Sequence, residues 1–221
     1  MPEKLTKSVF DWEHFTLYLA GPMEHSQDSG VGWRDIWTEK LVQIGINSNR
    51  IYNPCKKPFN ASFNLNDEAR IIRECREKED WQKLDEMMGQ IMHTDLRLVD
   101  KSDLVLVNMP RIGEDNLIRQ IEKEATIAHD CLMSFENLMK KYMQLRVPAY
   151  GTIHEIVVAH WQRKPIFMVW EDTGLSDCSA WLMKLIGYKN IFSNIDSLIT
   201  HLKSISKGDS QFNAKQWLLV N

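Results

Sequence analysis

Three acidic side chains occupy positions where an alternation of strands and helices would bring carboxylates to one site. Asp95 and Asp103 lie in TDLRLVDKSDLVLV, flanking the start of a buried strand, and Glu155 lies in GTIHE, just inside a helix. A carboxylate can attack an anomeric carbon and form a glycosyl ester, which divides one difficult displacement into two easier ones. Retaining sugar chemistry needs such a nucleophile and further groups that handle the leaving group. The three residues are therefore candidates for glycosyl chemistry.

Glu155 also fits a purely structural pattern. Thr152 and Glu155 match the S/T-x-x-E capping box, with Thr152 as the N-cap and Glu155 at the third helical position. A capping carboxylate turns back to a backbone N–H, whereas a nucleophile faces the cleft at the carboxyl ends of the strands. A helix N-terminus also favours the ionised carboxylate that a nucleophile requires. The pattern alone leaves both interpretations open.

Common cofactor and metal motifs are absent from the sequence. It contains no G-x-G-x-x-G after the first strand, no G-x-x-x-x-G-K-[ST] and no G-x-S-x-G. The histidines form no H-E-x-x-H, and His154 and His160 are spaced so that they fall on different helix faces. The four cysteines include no C-x-x-C pair, which indicates reduced thiols. We expect no cofactor and no metal ion.

The composition is that of an ordinary globular protein. The 221 residues are 43% hydrophobic and 26% charged, with a formal net charge of −3. This charge gives no general attraction to a nucleic acid polymer or an anionic membrane. No apolar run is long enough to span a bilayer, and the polar N-terminus lacks a signal-peptide core. We expect a cytoplasmic protein with a small-molecule partner.

Short apolar segments alternate with helical ones along the chain. The predicted strands are 15–20, 50–54, 102–110, 165–170 and 190–192. The helical spacing is clearest at 30–45, 177–187 and 194–205. This alternation predicts an α/β fold, a flavodoxin- or Rossmann-like doubly wound, mostly parallel sheet of about five strands.

Ligands of such sheets bind beyond the carboxyl ends of the strands. This rule selects Gly21, Pro22 and Met23 after the first strand, Asn53 after the second and Asn108 after the third. We expect a single domain over residues 1–221.

Two charged segments are predicted to be helical insertions near the cleft. They cover residues 55–92 and 113–148. Either segment would serve as a lid or as a subunit interface.

Four sequence blocks together resemble the nucleoside 2-deoxyribosyltransferase family, including its phage and bacterial members. The blocks are YLAGPM (18–23), GWR (32–34), DLRLVDKSDLVLV (95–107) and GTIHEIVVAHWQRKP (151–165). They occur in the family's order and cover about half of the chain. The resemblance implies cleavage of an N-glycosidic bond through a glutamate nucleophile, and transfer of 2-deoxyribose between nucleobases.

The resemblance also implies roles for individual residues. Glu155 is the nucleophile, Tyr18 orients it through its hydroxyl, and Asp95 and Asp103 contact the base or assist its protonation. Gly21, Pro22 and Met23 form the loop beside the sugar. Asn108 and Gly151 complete the expected substrate-binding set, and Arg34 would contact a 5′-phosphate.

Each of these residues has a structural alternative. Tyr18 would be a core aromatic residue, Asp95 a cap or turn residue, Asp103 a ligand of backbone N–H groups at a strand start, and Arg34 a solvated helix residue.

Several choices about function stay open. The expected ligands are a nucleoside or nucleoside monophosphate and a free nucleobase, and family members commonly complete their sites across subunits of a homo-oligomer. If water replaces the second base, the protein is a hydrolase. The same sheet could also belong to a non-catalytic nucleotide-binding protein or to a purely structural protein.

Overall fold

The structure is a computed structural model that describes residues 12, 14–23, 28, 30–56, 68–109, 149–170, 175 and 178–207. The predicted insertion at 113–148 lies outside the described residues. Within the described part of the chain, no helix combines the length and the apolar character needed to cross a membrane.

The core is a sheet of five parallel strands. They are β1 (Leu17–Ala20), β2 (Ile51–Tyr52), β3 (Leu104–Met109), β4 (Ile166–Trp170) and β5 (Ile191–Phe192). Their spatial order is β2-β1-β3-β4-β5, and all four pairings are parallel. This is the flavodoxin-like order, with its switch point between β1 and β3. The predicted α/β doubly wound fold is confirmed, and each observed strand lies within a predicted one.

Six α-helices lie between or after these strands within the described residues. They are α1 (Val31–Gln43), α2 (Glu68–Glu77), α3 (Trp81–Lys101), α4 (Tyr150–Trp161), α5 (Ala180–Ile186) and α6 (Ile195–Ser206). Helices α1 and α6 pack on one face of the sheet, and α3, α4 and α5 pack on the other. Because both faces are covered, the central strands are continuous apolar runs.

Neighbouring residues of one strand serve opposite faces of the sheet. Leu17 and Leu19 of β1 join the core beneath α1 and α6. Tyr18 and Ala20 join the core beneath α3 and α4. The two-residue period of a strand therefore decides which side chains of β1 meet α4.

The segment predicted as an insertion at 55–92 contains α2 and the first half of α3. Helix α3 continues to Lys101, and its Leu98 and Val99 pack on the sheet. It is therefore the ordinary crossover helix between β2 and β3, and the predicted boundary at residue 92 is too early. The lack of Gly or Pro between 92 and 101 allows the helix to continue. Helix α2 packs on α3 through Ile72, Met87 and Ile91.

His201 of α6 contacts two phenylalanine rings of the sheet. The ring of His201 is 5.7 Å from that of Phe167 and 5.1 Å from that of Phe192, measured between centroids. Burial lowers the pKa of His201 below its ordinary value. The neutral imidazole is therefore the form that the folded state favours.

Acid should weaken the fold through this histidine. Because the pKa of His201 is lower in the folded state, the unfolded chain binds the proton more readily. The stabilising contribution is present above the unfolded pKa, roughly 6.5, and is lost as pH falls from there towards the folded pKa. We expect His201→Gln to reduce the loss of unfolding free energy between about pH 7.5 and about pH 5.

Urea unfolding at both pH values measures this difference. His93→Gln, at an exposed position of α3, is the matched control and should leave the pH dependence unchanged. An unaltered pH dependence in His201→Gln would contradict the assignment.

Candidate functional site

A buried hydrogen bond joins β1 to α4. The Tyr18 hydroxyl donates to Glu155 Oε1 at 2.6 Å. Tyr18 is fully buried, and Glu155 is 8% exposed. Tyr18 lies on the sheet face that packs against Ile156 and Ala159 of α4, the helix that carries Glu155. A core tyrosine and a helical carboxylate thus form one polar pair inside an apolar layer.

The capping-box interpretation of Glu155 is wrong. Helix α4 begins at Tyr150 with Ala149 as its N-cap, and no side chain caps it. Ile153 N already donates to Ala149 O at 3.0 Å. Thr152 is therefore a buried residue of the first turn, and Glu155 is the sixth residue of the helix. The Glu155 carboxylate accepts from Tyr18 of β1 instead of from the start of its own helix.

The Tyr18 phenol remains a hydrogen-bond donor throughout the neutral range. Burial raises its pKa well above the ordinary value, and the negative charges of Glu155 and Asp95 and the hydrogen bond to Glu155 raise it further, although the charge of Arg34 lowers it. The proton in this bond therefore belongs to the tyrosine, and the glutamate oxygen accepts.

Asp95 belongs to the same site. It lies within α3, which packs beside α4, and its charge is close enough to raise the pKa of Tyr18. Its side chain is half-buried. The alternative role of Asp95 as a cap or turn residue is wrong, because the helix continues for six residues beyond it.

Asp103 lies at the amino ends of the strands. Its Oδ2 accepts from Thr16 N at 2.7 Å and from Thr16 Oγ1 at 2.6 Å, and its own N–H donates to Thr16 O at 2.9 Å. Both residues precede their strands, so the pair joins the amino ends of β1 and β3. The structure does not bring Asp103 to the Glu155 site and corrects the expected role at the base. Its carboxylate satisfies a backbone N–H instead.

Arg34 is a fully buried residue of α1. Its Nη2 donates to Gly21 O at 2.8 Å, its Nη1 to Gly30 O at 2.8 Å, and its Nε to Leu19 O at 3.3 Å. The interpretation of Arg34 as a solvated helix residue is wrong. The expected 5′-phosphate contact is not supported either, because these donors hold the loop between β1 and α1.

The remaining predicted residues lie at the carboxyl edge of the sheet or beside it. A Cβ at Gly21 would lie 2.5 Å from the Trp33 ring and 3.0 Å from Asn108 O, so only glycine fits this approach. Pro22 and Met23 follow, half-buried. Gly151 is an exposed residue in the first turn of α4. Their contact with substrate stays a prediction.

Several buried polar atoms at this edge have no hydrogen-bond partner among the described residues. They include Asn108 Oδ1, Asn53 Nδ2 and the indole N–H groups of Trp33 and Trp170. Asn108 is only 3% exposed. Buried polar groups are normally satisfied, so these atoms are candidates for contact with a polar ligand. The rule for ligand position in parallel sheets selected Asn108 and Asn53, but nothing in the sequence pointed to the two indoles.

Within the described residues, no group of three histidine, cysteine, aspartate or glutamate side chains is arranged to hold a metal ion. Comparison with known proteins adds no assignment: no family model matches the chain, and no curated protein matches it.

The Asp103–Thr16 contact should contribute to stability. We expect Asp103→Ala to lower the free energy of unfolding by about 1–3 kcal/mol, because it leaves the Thr16 N–H without its acceptor. Asp85→Ala, at an exposed position of α3, is the control and should change the value by less than about 0.5 kcal/mol. Denaturant unfolding measures both, and equal effects would contradict this role.

Proposed function

We propose that the protein cleaves the N-glycosidic bond of a nucleoside and transfers its 2-deoxyribose to a second nucleobase. The observation that carries this proposal is the buried bond from Tyr18 to Glu155, which directs a carboxylate at the sheet instead of at its own helix. The resemblance of the four sequence blocks to nucleoside 2-deoxyribosyltransferases supports the same reaction.

Glu155 is the nucleophile in this proposal. One carboxylate oxygen, Oε2, attacks C1′ and forms an ester bond as the C1′–N bond breaks. Tyr18 holds the other oxygen at 2.6 Å, which restricts the rotation of the side chain and keeps the attacking atom oriented. Because the phenol stays protonated, this orientation persists through the catalytic cycle.

Asp95 is the general acid, and then the general base, in this proposal. In its carboxylic acid form it donates to the nitrogen of the leaving base, which carries away the electron pair of the broken bond. In the second half-reaction an incoming base attacks C1′ and returns a proton to Asp95. The C1′–O bond of the glutamyl ester breaks in the same displacement, and Glu155 leaves as a carboxylate.

Burial favours transfer over hydrolysis. The ester must survive until a second base replaces the first, so water must be kept from it. Glu155 is 8% exposed and lies beside an apolar layer. The unmet hydrogen-bonding groups of Asn108 and Asn53 supply polar contacts for the sugar or base at the adjacent edge.

We also propose a cytoplasmic location. Cys75 and Cys178 carry free thiols in the described part of the chain. Unlinked cysteines are typical of a reducing compartment.

Base exchange tests the proposed reaction. The purified protein is incubated with a 2′-deoxynucleoside alone and with a different free base, and products are separated by chromatography. We expect a new deoxynucleoside only when the second base is present. Release of base with no exchange would identify a hydrolase, and the absence of both across purine and pyrimidine nucleosides would contradict the proposal.

Replacement of the nucleophile should abolish turnover without unfolding the protein. Glu155→Gln keeps an oxygen that accepts from Tyr18 but cannot form the ester, so we expect kcat to fall at least about 10³-fold. The melting temperature, measured in parallel, should stay near that of the parent. A variant with more than about a tenth of the parent rate would exclude Glu155 as the nucleophile.

Loss of the Tyr18 hydroxyl should slow the reaction. A hydrogen bond to a charged group contributes about 1.5–3 kcal/mol, so we expect Tyr18→Phe to lower kcat/KM by about 10- to 100-fold. Tyr52 pairs with Tyr18 in the sheet register and packs on the same core. Tyr52→Phe is therefore the matched control, and equal losses in the two variants would show that the Tyr18 bond is not specific to catalysis.

A further inference from the structure

Arg34 is a buried cation that the proposed mechanism does not use. Its side chain is fully buried. The guanidinium donates to the backbone carbonyl oxygens of Leu19, Gly21 and Gly30, and its Nη1 lies 3.6 Å from the Cys55 sulfur. None of these partners is a carboxylate, although a buried charge normally has an opposite charge beside it. Within the described residues, this charge is therefore met by backbone dipoles and not by an ion pair.

The contacts of Arg34 fix the exit of the strand that carries Tyr18. Leu19 directly follows Tyr18 in β1, and Gly30 precedes α1 with a φ of 74°. One side chain therefore joins the end of β1 to the start of α1. The approach is close, because a Cβ at Gly30 would lie 2.4 Å from Arg34 Nη1 and 2.6 Å from Pro22 O. The backbone next to Tyr18 is thus held by this arginine.

Arg34 and the two proposed catalytic carboxylates act on the same phenol. Burial raises the pKa of Tyr18 most, the charges of Glu155 and Asp95 raise it further, and the charge of Arg34 lowers it. The arginine acts from α1 on one face of the sheet, whereas the carboxylates belong to α4 and α3 on the other. One cation and two anions therefore lie within electrostatic reach of one another across β1.

Further titratable side chains around these charges are Asp28, Tyr52 and Cys55. Asp28, in the loop before α1, is exposed and accepts from backbone N–H groups at the start of that helix. Tyr52 of β2 packs on the same core as Tyr18, and Cys55 follows β2. Of these three, only Asp28 contributes a carboxylate, and solvent screens its charge. The positive charge of Arg34 thus remains available to the buried carboxylates.

The proposed reaction needs those carboxylates in different states. Glu155 must be ionised to attack C1′, while Asp95 must hold the proton that the leaving base takes. Two neighbouring carboxylates oppose each other's ionisation, and such a pair titrates as one unit. A nearby cation favours the state in which one of the two is ionised.

We propose that Arg34 is a positioning residue of this site, which holds the exit of β1 and keeps one carboxylate of the Glu155–Asp95 pair ionised at neutral pH. The inference rests on the proposed function and names what sets the pH range of the reaction. Because the guanidinium is fully buried and its donors are bound to carbonyl groups, it acts through its charge and through β1 instead of touching the substrate.

Two substitutions separate the charge of Arg34 from its shape. Arg34→Lys keeps the charge but loses the planar fork of donors, and Arg34→Gln loses both. We expect both variants to lower kcat/KM at about pH 8, because the exit of β1 is held less firmly. At about pH 5.5 we expect a further loss of about tenfold in Arg34→Gln and none in Arg34→Lys, because a carboxylate without a nearby cation is protonated at higher pH.

A titration without substrate separates this inference from the proposed reaction. ¹³C NMR follows the ionisation of Glu155 in protein labelled at the glutamate carboxyl groups, and the Glu155 resonance is the one absent from Glu155→Gln. We expect half-ionisation at a higher pH in Arg34→Gln than in the parent and in Arg34→Lys. If this shift occurs in a protein that exchanges no bases, the reaction is wrong and the role of Arg34 stands. If exchange occurs and all three proteins ionise at the same pH, the reaction stands and this inference is overturned.

Cys55 allows the same titration with Arg34 left in place, which keeps the test decisive if the Arg34 variants do not fold. Cys55→Asp puts a carboxylate beside Nη1 and compensates the guanidinium, and Cys55→Asn is the neutral control of the same size. We expect Glu155 to ionise at a higher pH in Cys55→Asp than in Cys55→Asn. Equal titrations in these two variants would overturn the proposal.

Discussion

The hydrogen bond between the Tyr18 hydroxyl and the Glu155 carboxylate constrains much of the structure around it. A carboxylate in an apolar layer is costly unless a donor meets it, and burial keeps Tyr18 protonated so that it can donate. The bond requires that α4 pack on the sheet through Ile156 and Ala159, so that the neighbouring Glu155 reaches Tyr18. It also requires that β1 direct Tyr18 towards α4, which the alternation of the strand does by placing Leu17 and Leu19 on the opposite face.

Polar side chains at the amino ends of the strands and those near the Tyr18–Glu155 pair have different roles. At the amino edge, Asp103 joins the starts of β1 and β3 through Thr16. On the α4 side, Asp95 lies near the Tyr18–Glu155 pair, and at the carboxyl edge Asn108 Oδ1 has no hydrogen-bond partner among the residues that the structure describes. The Asp103–Thr16 contacts join two strands of the sheet. Asp95 and Asn108 instead add polar groups near the region where parallel sheets bind ligands. The proposed glycosyl-transfer reaction requires a buried carboxylate with a second acidic group nearby, and Glu155 and Asp95 have this arrangement.

The sequence predicted the sheet well and the individual contacts less well. Continuous apolar runs such as that of β3 have few alternatives to a buried strand, so the five strands and the fold class followed directly. The T-x-x-E pattern predicted the wrong N-cap for α4. It describes only four residues, whereas the start of the helix depends on Ala149 and on the packing of the whole helix. The burial of Arg34 could not be read from its neighbours, since it depends on carbonyl groups of β1 and its loop. The partner of Asp103 is 87 residues away in sequence, and no local pattern reports such a contact.

The most direct test of the central claim is to trap the ester on Glu155. A nucleoside whose sugar carries fluorine at C2′ should form the glycosyl-enzyme but release it slowly, because fluorine destabilises the electron-poor transition state of each step. The account predicts that mass spectrometry will detect one added sugar on the peptide that contains Glu155, and none in Glu155→Gln. Release of the base by the parent without an adduct, or an adduct on another residue, would contradict it.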